Sequence, residues 1–229
     1  MRLDKFISYA LNLTRKEATS LIKSGRIKID GNVIKSGDTK VLGKVYLDDQ
    51  EIIYKEYRYF MLNKPKGYLS TTSGEKSVLE LVSGVKDLKV CGRLDIDTTG
   101  LIILTNDGDF IHKVTSPKSD IYKTYYVEVD GEFINSHVES FKNGFDLIDT
   151  DKEIYHTKEA KLEILSTSSA NISICEGRFH QIKKMCHEVG CVVTNLKRIK
   201  IGSLTLDESL KEGEYKELKK EELDKIFVK

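Results

Sequence analysis

This chain of 229 residues has four cysteines with no C-x-x-C pair among them, no long apolar run, no internal repeat and almost no net charge. Cys91, Cys175, Cys186 and Cys191 lack the paired spacing of a structural zinc site, and Cys186-His187 with Cys191 is too weak a constellation to stand for one. Reduced thiols partly in the core, and no metal, are expected. Nothing approaches the roughly 20 apolar residues of a membrane span. The opening Met1-Arg2-Leu3-Asp4-Lys5 has no apolar stretch behind it, which argues against a secretory signal. The expected compartment is the cytoplasm, with no membrane partner. The length can bury a sizeable core in one domain or two.

The neutral average hides two basic stretches. Lys and Arg number 37 against 36 Asp and Glu, a formal net charge of +1. Residues 1–40 nevertheless hold nine Lys or Arg and four Asp or Glu, and residues 178–200 hold six and one, a local +5 in each. Two basic clusters in a neutral chain point to a polyanion met at defined places. A solvated lysine face gives the same counts, so charge alone leaves both readings open.

Local signals divide the chain. Leu3, Phe6, Ile7 and Ala10 fall on one helical face, and Thr14-Arg15-Lys16-Glu17 fits a capping box with Thr14 as N-cap. The helix opened there turns Ala18, Leu21 and Ile22 inward and stops at Gly25. Arg26-Ile27-Lys28-Ile29, a turn at Asp30-Gly31-Asn32 and Val33-Ile34 predict a hairpin. Past a polar junction, strands are predicted at 59–62, 101–105, 123–129, 160–165 and 171–175. Helices are predicted near 106–114, 134–142 and 179–189. That order suits an α+β domain on a mixed, mostly antiparallel sheet. The charged segment 207–229 reads as a solvated edge.

The most informative stretch is Gly92-Arg93-Leu94-Asp95-Ile96-Asp97-Thr98-Thr99-Gly100-Leu101, which runs on into Ile102-Ile103-Leu104-Thr105. It presents a carboxylate from a Gly-flanked loop anchored on a buried strand. Asp95 could serve only to cap the turn through Thr98 and Thr99. Asp95-Ile96-Asp97-Thr98-Thr99 also resembles the D-x-D-x-T motif of haloacid-dehalogenase-like phosphatases. That family places the motif at the end of an apolar strand, whereas Lys89-Val90-Cys91-Gly92-Arg93-Leu94 makes a poor strand and the apolar run follows the motif. No downstream acidic pair completes a Mg²⁺ site.

A third reading rests on resemblance. R-L-D-K-F-I-S, T-R-K-E-A and G-R-I-K-I-D-G-N-V-I-K resemble the S4 RNA-binding domain over about residues 1–48. The stretch around Asp95 is similar, nearly position by position, to the catalytic motif of the pseudouridine synthases. Four other stretches agree in order: Leu62-Asn63-Lys64-Pro65-Lys66-Gly67, Lys123-Thr124-Tyr125, Glu176 to Met185, and Leu196 to Gly202. Together they span almost the whole chain and fit best the branch acting on ribosomal RNA, the small-subunit rRNA pseudouridine synthase A family. The resemblance implies a small S4-type helix-hairpin domain at 1–50, a linker at 51–58 and an α+β catalytic domain at 59–229. It also implies isomerisation of uridine to pseudouridine in small-subunit rRNA. The same chemistry on large-subunit rRNA, or a noncatalytic rRNA-binding assembly factor, are the alternatives.

That isomerisation breaks N1–C1′, turns the uracil and rejoins it through C5. No electrons or groups enter or leave, so no redox cofactor is needed. The resemblance assigns the reacting carboxylate to Asp95 and the base-stacking ring to Tyr125, with Tyr122 and Tyr126 close by in sequence. Leu196 would close the pocket, and Arg93 would brace the loop or the flipped strand. An adjacent cation would keep a carboxylate ionised once water is excluded. Lys183, on the flank of the stripe Ile182, Met185, Cys186 and Val189, is the candidate. Many family members carry Arg there, and a point charge in place of a bidentate fork alters the pairing. Asp97 is expected to shape the loop. Arg2, Lys5, Arg15, Lys16, Arg26 and Lys28 in the first domain, and Arg178, His180 and Lys184 in the second, are expected to meet RNA. The expected partner is ribosomal RNA, free or in an assembling particle, bound by a monomer.

Overall fold

In a computed structural model, which describes residues 1–85 and 87–228, the chain forms two compact units. Lys229, the last residue of the expected catalytic domain, lies outside the described residues. The first unit comprises Met1–Arg58 with Gly84–Asp87, the second Tyr59–Ser83 with Leu88–Lys229.

The first unit follows its local signals. Helices α1 (Leu3–Ala10) and α2 (Arg15–Lys23) precede short strands β1 (Ile27–Ile29), β2 (Asn32–Val33), β3 (Val45–Leu47) and β4 (Gln50–Glu51), in sheet order β2-β1-β3-β4. The capping box forms: the Thr14 hydroxyl accepts from the Glu17 N–H at 3.2 Å, and the Glu17 carboxylate accepts from the Thr14 N–H at 2.7 Å. Asp30 and Gly31 both take positive φ, 47° and 84°, as a two-residue hairpin turn of the primed type needs. Leu3, Ile7, Ala18, Ile22, Ile27 and Val45 form the core.

The second unit is built on a nine-stranded sheet. In chain order it contains β5 (Tyr59–Lys64), β6 (Lys89–Cys91), β7 (Thr99–Thr105), α3 (Gly108–Thr115), β8 (Lys123–Asp130), α4 (Asn135–Asn143), β9 (Asp146–Ile148), β10 (Ile154–His156), β11 (Lys161–Ser166), β12 (Ser169–Ile174), α5 (Gln181–Glu188), β13 (Val192–Ile201), β14 (Leu204–Thr205), β15 (Tyr215–Glu217) and α6 (Lys220–Asp224). The sheet runs β11-β12-β8-β13-β7-β5-β15, with β6 added on β7 and β14 on β13, while β9 and β10 pair separately. Only the β7–β13 pairing in this sheet is parallel among the described residues. The sheet is thus mixed and mostly antiparallel. All seven residues of β7 are buried, as the apolar run predicts for a central strand.

Three elements depart from the sequence expectation. Lys89–Cys91 does form a strand, short and antiparallel to β7, because β7 offers it a ladder that its own sequence does not advertise. The long β13 alternates Lys and Arg with apolar residues and is central all the same. The segment from 207 is more than a solvated edge: β15 pairs with β5, and Leu218 and Ile226 join Met61, Leu101 and Ile103 in the core. The four cysteines are free and buried. Burial pushes the Cys91 and Cys186 thiols up to about 12, which keeps them protonated and inert. No helix among the described residues is long and apolar enough to cross a membrane.

Candidate active site

Asp95 stands in the loop joining β6 to β7, and that loop is fastened from below. Lys64, at the end of β5, is fully buried. Its ammonium donates to the carbonyls of Thr98 at 2.8 Å, Pro65 at 3.1 Å and Ile96 at 3.4 Å. The Gly67 N–H donates to the Ile96 carbonyl at 2.8 Å. The Ser70 hydroxyl donates to the Leu94 carbonyl at 2.9 Å and accepts from its N–H at 3.0 Å. Residues 94 to 98 are therefore held at both ends with Asp95 between, a third of its side chain open to solvent.

A buried ammonium is costly to desolvate, and the carbonyls and nearby carboxylates offset only part of that cost. Desolvation lowers the Lys64 pKa from 10.5 to about 8, against the opposing pull of Asp97 and Asp95. Between those two values the unfolded chain binds more protons than the folded one, so stability must rise with pH across that window. Lys64→Met cannot titrate there. From pH 7 to pH 10 the wild type is expected to gain up to about 3 kcal/mol over that variant. Parallel urea melts at several pH values check this, and a constant difference would refute it.

Opposite the loop lies the start of α5. His180 caps the helix in the left-handed conformation, φ 52°, so the helix begins two residues later than its apolar pattern predicts. Gln181 is buried and ties the preceding turn together. Its Nε2 donates to Glu176 at 2.7 Å, and its Oε1 accepts from the Arg178 N–H at 3.1 Å. Lys183 then reaches across. It donates to both oxygens of Asp97, at 2.8 and 2.9 Å, and stands 3.5 Å from Asp95 Oδ2. The His180 Nε2 lies 3.6 Å from the same Asp95 oxygen. The hydrogen-bonded partner of Lys183 is thus Asp97, whose pKa those bonds lower, and Asp95 is the second carboxylate within reach. Lys183 and His180 both converge on Asp95, where the lysine alone was expected.

Between loop and helix is a cavity of about 230 Å³, whose walls include Asp95, Tyr125, Lys183, Leu196, Arg93 and His180. It is small beside cavities that take drug-sized ligands and suits a single ring. Tyr125 on β8 and Leu196 on β13 are both buried. The register sets Tyr125 opposite Arg198 and Leu196 opposite Val127. Arg198, also buried, donates from Nε to the Leu101 carbonyl at 2.7 Å and lies 6.0 Å from the Tyr125 ring centre. It braces both the root of the loop strand and the aromatic wall.

The structure brings Asp95, Tyr125, Lys183, Leu196, Arg93, Arg178 and His180 to one cavity, with Lys184 outside it. Arg178 is already engaged, paired to Asp149 at 2.7 Å and set over the Tyr155 ring at 4.1 Å. Lys184 donates to the Ile148 carbonyl at 2.6 Å. Within the first unit, Arg2 pairs with Asp4 and Asp38, Arg26 with Asp48, Lys28 with Asp49, and Arg15 reaches Asp4. Lys5 sits 5.5 Å from the Tyr9 ring centre. Lys16 and Lys23, exposed on one face of α2, have no ion-pair partner among the described residues. Lys64, Arg198 and Gln181 were missed as individuals, although each falls inside a stretch that carries the resemblance. The signal available was a Lys or Arg within an otherwise apolar strand.

Residues 58–188 match the family model for RNA pseudouridylate synthase, and residues 1–46 match the S4 domain. The chain is 41% identical over 233 residues to the ribosomal small subunit pseudouridine synthase A of Haemophilus influenzae, covering 99% of each. It is 40% identical to the Vibrio cholerae protein of the same name, over 99% of this chain and all of that one. A solved crystal structure of a pseudouridylate synthase, 40% identical, superposes with a TM-score of 0.69 and 99% of both chains covered.

Proposed function

Because the chain belongs to the RNA pseudouridylate synthase family, we propose that it isomerises a uridine of small-subunit ribosomal RNA, with Asp95 as the carboxylate at a flipped-out nucleotide. The observation that carries this reading is Asp95 on the wall of a one-ring cavity, within 3.6 Å of both Lys183 and His180, in a cavity that a buried tyrosine also lines. The small-subunit assignment follows the named activity of the relatives.

Each side chain has a part. Extruding a base from folded RNA costs a few kcal/mol, and a preformed aromatic wall at Tyr125, with Leu196 beside it, recovers some of it. The Lys183 ammonium sets a positive charge 3.5 Å from Asp95 Oδ2, and the His180 ring stands 3.6 Å from the same oxygen. Asp97, by taking both hydrogen bonds of Lys183, fixes where that positive charge stands. The same ammonium, lodged between the two aspartates, occupies the place a divalent cation would need in the phosphatase reading.

Mapping pseudouridines in rRNA from cells with and without the protein tests the proposal. One uridine in the small-subunit RNA should lose its modification. A change confined to large-subunit RNA would overturn the choice of substrate, and no change would overturn the activity.

The first unit supplies a route to RNA through α2. Neutralising phosphates releases counterions, so affinity carries a salt slope proportional to the contacts made. The double variant Lys16→Ala/Lys23→Ala should bind rRNA more weakly and lose about 1.5 from the slope of log K against log salt. Filter binding at four salt concentrations measures it, and an unchanged slope would remove α2 from the contact.

A further inference from the structure

Phe179 is an aromatic side chain with no core to join. It is 52% exposed, lines the same cavity as Asp95, and stacks on His180 with ring centres 3.8 Å apart and planes 19° from parallel. The pair is held in place rather than merely adjacent. His180 adopts the left-handed backbone region that a non-glycine residue rarely takes, and the turn before it is tied by Gln181. The Lys184 ammonium lies 5.6 Å from the Phe179 ring centre and donates to the Ile148 carbonyl, with its charge also felt by Asp149. A large apolar ring kept in water beside a cation, at the rim of a cavity already walled by Tyr125, is a surface made for another flat ring with an attached anion.

We propose that the stacked Phe179–His180 pair is a platform for a nucleobase next to the target uridine, with Lys184 facing the phosphate that links them. This rests on the RNA-modifying reading above and adds a second base-binding position to it. Tyr125 takes the extruded ring inside the cavity, and Phe179 takes a neighbour at the rim. His180 serves both, since its ring carries Phe179 while its Nε2 faces Asp95. The platform holds the strand open by replacing the stacking partner that the flipped uridine leaves behind.

The chain contains no tryptophan, so Phe179→Trp installs a sole indole reporter at the platform. Its fluorescence should be quenched by small-subunit rRNA transcript and unchanged by inorganic polyphosphate, which offers phosphates without bases. Phe179→Ala should raise KM for the transcript about 10-fold while kcat stays within about 3-fold, and Phe179→Tyr should restore KM. The exposed position makes all three variants safe for folding, which a thermal melt verifies. Wild-type KM in Phe179→Ala, or equal responses of F179W to RNA and polyphosphate, would overturn the platform. If instead wild-type protein leaves every rRNA uridine unchanged, the enzymatic reading fails, while base-dependent quenching in F179W would still report the platform.

Discussion

Asp95→Asn should abolish uridine isomerisation while leaving the protein folded and able to bind RNA. The substitution keeps the size of the side chain and removes only its charge. The loop does not depend on that carboxylate, because Lys64, Gly67 and Ser70 hold it through backbone atoms. Nor does the change strand a cation, since Lys183 keeps both hydrogen bonds to Asp97. Turnover is expected to fall at least about 1000-fold, equivalent to about 4 kcal/mol of transition-state stabilisation. KM-range binding and the melting temperature should match wild type. A chemical readout specific for pseudouridine on rRNA measures the loss, and retained turnover would dismiss Asp95 as the essential carboxylate.

Gly100→Ala should cost more stability than any other single-methyl change near the site. Gly100 has φ of 101°, a region closed to residues with a Cβ. The added methyl would point at the backbone of Arg198, 2.8 Å from its nitrogen and in contact with its carbonyl oxygen. Neither strand can yield, because β7 is buried along its whole length and β13 is paired on both sides. Strain and overpacking together are expected to cost about 3 to 5 kcal/mol, lowering the melting temperature by about 10 °C. A wild-type melting curve would show that the two strands can part without consequence. Activity should fall with stability, since Arg198 and Leu196 would move with β13.

What could be read in the sequence was what is local. The capping box at Thr14 and Glu17 lies within one turn, and the apolar run from Leu101 has no plausible place but a sheet interior. Fold class and both domain types followed from those patterns and from the quoted motifs. The long β13 stayed hidden because Lys197, Arg198 and Lys200 interrupt its apolar residues, and only its neighbours make it a strand. The sparse apolar residues of the C-terminal segment gave no hint that Leu218 and Ile226 complete the core. At the site, Asp95, Tyr125 and Lys183 do meet at one cavity. The choice of Lys183 between two aspartates, and the approach of His180, are matters of a few tenths of an ångström that no spacing encodes.

The single parallel pairing of β7 with β13 sets an order of events in time. The two strands are far apart in sequence, and β13 both joins β7 to β8 and brings Leu196 to the cavity wall. Long-range pairings of this kind form late, because loop closure must come before their contacts. A growing chain on the ribosome that has made Asp95 and Tyr125 therefore carries both without a pocket, and remains silent toward RNA chemistry until residues near 200 emerge. Modification waits for β13 to enter the sheet.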